Sequence, residues 1–217
     1  MTELRFSVLD IAAEPYAVVP TLLARLRIEE GTGEPVHAVA LRAQVRIEAQ
    51  RRGYDDREEA GLLDLFDRRE RWADTLKPLL WMHATAMVPG FIGATEVDLP
   101  LPCTYDFEVT GAKYLQALSD GEIPLVLLFS GTVFTRGATG FAVTQIPWNA
   151  ETTHRLPVAV WRAVMDRYFP GSQWLRLDRD TVAALARYKS ARGFLGWEDT
   201  IESLLAQAEV ARAEVAQ

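Results

Sequence analysis

The sequence predicts an α+β fold with a mainly antiparallel β core, sandwich-like and open to an internal duplication, followed by a C-terminal group of helices. Three observations carry this. Residues 37–48 alternate strictly between apolar and polar side chains. Residues 123–134 form an almost unbroken apolar run of strand length. After Pro157 the apolar spacing changes from two to the helical three and four. Period-two patterning marks a strand with one wet face, and a continuous apolar run marks a strand buried on both.

The elements follow in order. Residues 4–11 read as an opening strand. Thr21–Glu29 reads as a second, with Leu22, Ala24, Leu26 and Ile28 on one face and Arg25 and Arg27 opposite. Gly31–Pro35 is expected to turn the chain back into 37–48, where Val39, Leu41, Ala43, Val45 and Ile47 share a face. Residues 51–77 mix seven basic with eight acidic side chains around the island Leu62, Leu63, Leu65 and Phe66, which reads as a short helix within a long connection.

Lys77–Val88 reads as a strand that ends at a Pro89-Gly90 turn. Thr95–Val109 is extended, and Pro100 and Pro102 place it at a sheet edge or a bulge. Gly111–Leu118 is a short helix, Thr135–Gly140 a turn and Phe141–Ile146 a further strand. A helix begins after Pro157, with Val158, Trp161, Val164, Met165 and Tyr168 at helical spacing, and Phe169-Pro170-Gly171 stops it. Asp178 or Asp180 caps the next helix, and Gly193 ends it. The last helix starts near Trp197 and carries the stripe Trp197, Ile201, Leu204, Leu205 and Ala208.

Residues 31–48 (GTGEPVHAVALRAQVRIE) and 119–134 (SDGEIPLVLLFSGTVF) share a Gly-Glu pair, a proline and a β run. They fit a duplicated β unit, and chance likeness between two hairpins is the other reading. The expected organisation is one domain over 1–217, with 1–155 as the β-rich core and 156–217 as helices packed on it.

Composition bounds the function. With 217 residues and 49% hydrophobic content, a core needs no disulfide or metal. The single cysteine, Cys103, excludes an intrachain disulfide and a four-cysteine zinc site. It sits in an apolar Leu-Pro-Leu-Pro-Cys stretch, which reads as a buried structural thiol rather than a reactive one. The net charge of −7 disfavours nucleic acid and anionic membrane as partners. A near-absence of lysine, found only at 77, 113 and 189, reads as the coding bias of a GC-rich bacterial genome. No signal peptide is apparent, and cysteine usage fits the cytoplasm. The uncharged stretch 78–95 approaches membrane-span length, but Pro89, Gly90 and Gly93 interrupt it.

Chemical motifs are absent. Gly31-Thr-Gly33 begins a GxGxxG pattern without completing it, and no GxxxxGK or GxSxG occurs. Ser130 lies in the apolar run and is expected to be a satisfied core hydroxyl. His37, His83 and His154 are scattered, so neither a metal site nor any cofactor is expected, and His83 reads as a core or boundary residue. Asp106 and Glu108, two apart on an expected strand, are weak candidates for paired acid–base catalysis in a small-ligand-binding protein or hydrolase-like enzyme. A wet strand face opposite Tyr105, Phe107 and Val109 is the simpler account. Asp178-Arg-Asp180 resembles a magnesium spacing, but capping is the simpler account. Trp148 follows Pro147 in a loop, and its indole is expected to find a buried partner. Among the charges of 51–77, Arg68, Arg69, Arg71 and Trp72 are the candidate partner-binding residues, because Trp and Arg dominate interface hot spots.

The segments Leu65-Phe66…Arg71-Trp72, Cys103-Thr-Tyr-Asp106, Gly121-Glu-Ile-Pro124…Leu128-Phe-Ser-Gly-Thr-Val-Phe134, Ile146-Pro-Trp148, Leu156-Pro157…Trp161 and Tyr168-Phe-Pro170 together resemble an uncharacterised family of high-GC bacteria. Its genes often lie beside those of nickel–iron hydrogenases, and it has no assigned catalytic residues. The resemblance implies a protein-binding accessory role in the assembly or maturation of a redox enzyme. Non-enzymatic binding to another protein is thus the expected function, and the oligomeric state is left open.

Overall fold

The structure, a computed structural model, describes residues 3–104, 109–137, 140–172 and 175–215. Eight strands are described: β1 (Leu4–Ala13), β2 (Thr21–Glu30), β3 (Val36–Ile47), β4 (Leu79–Phe91), β5 (Ala94–Pro102), β6 (Glu122–Gly137), β7 (Gly140–Gln145) and β8 (Glu151–Pro157). Six helices accompany them: α1 (Asp56–Phe66), α2 (Trp72–Thr75), α3 (Thr110–Ala117), α4 (Val158–Tyr168), α5 (Arg179–Arg192) and α6 (Trp197–Val215). The fold is α+β.

All strand pairs are antiparallel and build two sheets, one in the order β1-β2-β5 and one in the order β4-β3-β6-β7. β8 also pairs with β6, along residues 122–128, whereas β7 takes 132–137. The expected alternation in β2 and β3 is present. Leu22, Ala24, Leu26 and Ile28 are buried, as are Val39, Leu41, Ala43, Val45 and Ile47. The inner faces of the two sheets meet, with Phe6 stacked on Phe129 at a centroid separation of 4.3 Å. Hydrophobic burial of these two rows is the main drive for the sandwich.

The turn at 31–35 does not make a hairpin. β2 pairs with β1 and β5, while β3 lies in the other sheet. The connection therefore crosses between sheets, and so does the one from β4 to β5. The two similar sequence blocks supply β3 and β6, which pair with each other from Ile47–Leu125 to Val36–Thr135. Each is preceded by a glycine in the left-handed region, Gly33 (φ 78°) and Gly121 (φ 81°). The segment before β6 is a helix, however, so only the turn and strand are common.

Pro89-Gly90 lies inside β4, not at a turn. β4 is the outer strand, so a proline without an N–H is tolerated there. Gly90 is needed because a Cβ would come within 2.7 Å of the His37 carbonyl oxygen. The chain turns instead at Ile92-Gly93, with Gly93 at φ 71°. β5 is an edge strand, as its prolines require. β8 was not signalled by the sequence, because Glu151–Arg155 are all polar and only Leu156, next to its end, is buried. The expected turn does not begin at Thr135, since β6 runs to Gly137.

α4 buries Val158, Trp161, Val164 and Met165 and packs on β1, β2 and β8. The chain clusters into two compact units, Met1–Trp174 and Leu175–Gln217. The sandwich, α1–α3 and α4 form the first. The second consists of α5 and α6. Asp178 caps α5 by accepting from the Thr181 N–H at 2.8 Å, and Gly193 closes it at φ 70°. Among the described residues, the second unit buries only Thr200, and no helix is long and apolar enough to cross a membrane.

Candidate functional site

The 51–77 connection folds onto the sandwich through a clamp that begins with a helix cap. Asp55 Oδ1 accepts from the Glu58 N–H at 2.7 Å, and Glu58 Oε2 accepts in return from the Asp55 N–H at 3.4 Å. This reciprocal box starts α1. Glu58 then does more than cap. Its carboxylate accepts from Arg52 Nη2 at 2.8 and 2.9 Å and from the Ser119 N–H at 2.7 Å. Arg52 also donates to the Asp120 carbonyl at 3.1 Å. The two side chains are only 10% and 3% exposed. A carboxylate at the start of α1 thus ties residues 52 and 119–120 together, at the entry to β6.

Beside this ion pair stand two tyrosines. Tyr54 Oη donates to the Ala49 carbonyl at 2.6 Å and lies 2.8 Å from Tyr114 Oη. Tyr54 has one proton, already committed to Ala49, so Tyr114 donates in the pair. Burial pushes the ionisation of both phenols upward, more strongly for the fully buried Tyr114. The phenols and the Glu58 carboxylate find their partners within the cluster, while Arg52 Nη1 is buried without one among the described residues. Across the described residues, no group of three or more His, Cys, Asp or Glu could hold a metal ion.

The candidate partner-binding residues sit on the outer side of this clamp. Trp72 is half-buried, edge-on to Tyr54 at 5.1 Å, with Nε1 donating to the Asp67 carbonyl at 3.0 Å. Arg69 pairs with Glu59 and lies over the Trp72 ring. Arg71 pairs with Asp67 at 2.8 Å. Arg68 is exposed. Three of the four side chains are therefore engaged within the chain. Arg68, Arg69 and Trp72 border a recess of about 280 Å³ that includes the exposed Leu63, and Arg71 lies outside its lining.

Asp106 and Glu108 lie outside the described residues. The histidines do not converge: His83 is exposed on the outer face of β4, not in the core, because β4 presents one face to solvent. Ser130 is exposed as well, since β6 regains alternation beyond Phe129. Trp148 stands at a turn and is 93% exposed, with no buried partner for its indole. Cys103 is buried, and desolvation pushes its thiol up to about 12.

The stripe expected on the last helix is exposed except at the half-buried Leu204. Trp197, Ile201 and Leu205 are 47%, 41% and 60% accessible, and Leu195 and Val210 are also exposed. Glu198, Glu202 and Glu209 occupy the adjacent helical row, all exposed. An apolar row edged with carboxylates suits a cationic, amphipathic partner segment.

A family model described as "Family of unknown function (DUF6084)" matches residues 1–213. The chain belongs to this family. The DUF6084 match covers both the sandwich and most of the helical unit. A search of curated proteins finds no match. Solved structures similar to this DUF6084 chain include a β-glucosidase from Kluyveromyces marxianus and β-glucosidase 3B from Thermotoga neapolitana. The first is 10% identical with TM-score 0.25, covering 71% of this chain and 15% of that one. The second is 13% identical with TM-score 0.26, covering 71% and 17%. The chain thus spans well under two thirds of those enzymes, and at these scores the likeness carries no argument about fold or activity.

Proposed function

We propose that this chain is a non-enzymatic binding protein that docks on another protein as an accessory factor in the assembly or maturation of a redox enzyme such as a hydrogenase. The supporting observation for docking is the exposed row Trp197, Ile201 and Leu205 with its acidic border. A helical unit whose one buried residue among those described is a threonine gains little from its own packing, so its apolar surface is available to a partner. The redox-enzyme assignment rests on the resemblance of the sequence motifs alone.

A tagged full-length protein, expressed in its own host, should co-purify a partner that mass spectrometry identifies as a subunit or maturation factor of a redox enzyme. Ile201→Glu with Leu205→Glu should abolish that association, because it places charge in the apolar row. The melting temperature should change little, since both positions are exposed. Retention of the same partner by the double variant overturns the docking assignment. A partner unrelated to redox enzymes, lost in the double variant, overturns only the assembly role.

The recess at 66–72 supports a second contact. There Arg68 and Arg69 are the side chains to replace, since Trp72 braces Tyr54 and its loss would weaken the fold. Undiminished co-purification by Arg68→Ala with Arg69→Ala removes this contact.

A further inference from the structure

A cleft of about 490 Å³ opens where α1, α3 and α4 converge in the first unit. That volume falls in the range of small-ligand sites, roughly 300–1,000 Å³. Arg57 reaches it from the first turn of α1, Gln116 from α3, and Arg162 and Asp166 from α4. The buried Trp161 and Met165 form part of its floor.

The two arginines distinguish this cleft. Most other cations near α1 are neutralised: Arg52 by Glu58, Arg69 by Glu59, Arg71 by Asp67 and Lys113 by Asp64. Among the described residues, neither Arg57 nor Arg162 makes an ion pair. Arg162 is nevertheless held, because its Nη2 donates to the carbonyl of Leu118 at the end of α3. A guanidinium fixed at one edge presents its remaining N–H donors in a set direction. The two guanidiniums outnumber the one carboxylate that lines the recess, Asp166, and this local excess of positive charge favours an anion. Asp166 lies one turn beyond Arg162 and supplies an acceptor in the same cleft.

We propose that this cleft binds a small polar organic anion, a carboxylate or a phosphate ester, with Arg57 and Arg162 on its charged group, Gln116 as a further polar contact and Asp166 accepting from a hydroxyl or amino group. The site is independent of the docking row on α6 and goes beyond the accessory role.

Isothermal titration calorimetry on the full-length protein, at constant ionic strength, tests this with malate, glycerol 3-phosphate and uncharged glycerol. The expected result is saturable binding of malate or glycerol 3-phosphate with Kd below about 1 mM, and none of glycerol. The preferred anion tells carboxylate from phosphate ester. Arg57→Ala and Arg162→Ala should each weaken binding about tenfold or more, as for loss of a hydrogen bond to a charged group. The Arg57 side chain is exposed, so its variant keeps the test valid if Arg162→Ala folds poorly. Arg5→Ala with Arg25→Ala removes exposed cations elsewhere and should leave Kd within about twofold. No saturable binding of either anion, or equal weakening by the control variant, overturns the proposal.

Discussion

Glu58 shows how one side chain can be readable and still be underestimated. The pattern Asp55-x-x-Glu58 before an apolar run is a capping signature visible in the sequence. Its burial and its pairing with Arg52 depend on residues 119–120, which lie sixty positions away. Breaking a buried pair strands the remaining charge, so Glu58→Ala should destabilise the protein by about 3–5 kcal/mol in chemical denaturation. Glu198→Ala, on the exposed face of α6, should change stability by less than about 0.5 kcal/mol. A Glu58→Ala loss no larger than that of Glu198→Ala would show the clamp to be dispensable. Cys103 illustrates the reverse case. Its apolar Leu-Pro context indicated a structural thiol, and burial holds it protonated at neutral pH. Iodoacetamide at pH 8 should leave it unmodified in the native protein and alkylate it fully in denaturant. Fast native alkylation would contradict this packing.

At the level of elements, β6 organises the larger sheet and depends on one glycine. Its first half pairs with β8 and its second half with β7, and the change of partner falls at Phe129–Gly131. Phe129 N–H donates to the Ala150 carbonyl, and Gly131 accepts from the Ile146 N–H at 2.9 Å. Gly131 has φ 139°, and a Cβ there would overlap the carbonyl of Ala40 on β3. Gly131→Ala should therefore lower stability by about 3 kcal/mol or more, combining an unfavourable backbone with a backbone clash. Gly33→Ala meets nothing within 4 Å and should lose only about 1–2 kcal/mol, from the left-handed conformation alone. Thermal melts of the two variants compare them directly, and equal losses would argue against the close approach of β6 to β3. The strand itself was legible from its apolar run. The glycine's role was not, because it follows from which strands flank it.

Across the whole molecule, pH reports the balance of buried groups. Cys103, Tyr54 and Tyr114 have raised pKa values in the folded chain. As pH rises past their unfolded values, near 8.5 and 10, the unfolded chain loses these protons first and unfolding is favoured. Burial lowers the pKa of His154. Below about pH 6.5 the unfolded chain binds that proton first, and stability falls again. The carboxylates of Glu30, Asp55, Asp67 and Asp178 are held low by hydrogen bonds, and their contribution disappears as pH drops through the acid range. Denaturation midpoints should therefore form a plateau between about pH 7 and 8.5, falling on both sides. A midpoint still rising above pH 10 would contradict the buried phenols and thiol.

The sequence by itself determined the faces of β2 and β3, the two-sided burial of β6 only as far as Leu127, the stops and caps of α4 and α5, and the burial of Cys103. Each depends on neighbours within a few residues, where periodicity and capping chemistry act directly. Tertiary structure alone decided that β2 and β3 lie in different sheets, that the repeated blocks pair with each other, and that Arg52 and Glu58 bury a charge pair. It also decided that the stripe on α6 is exposed and that Arg57 and Arg162 share a cleft. Those outcomes rest on contacts between residues far apart in the chain, and local patterning says which face is apolar without saying what, if anything, covers it.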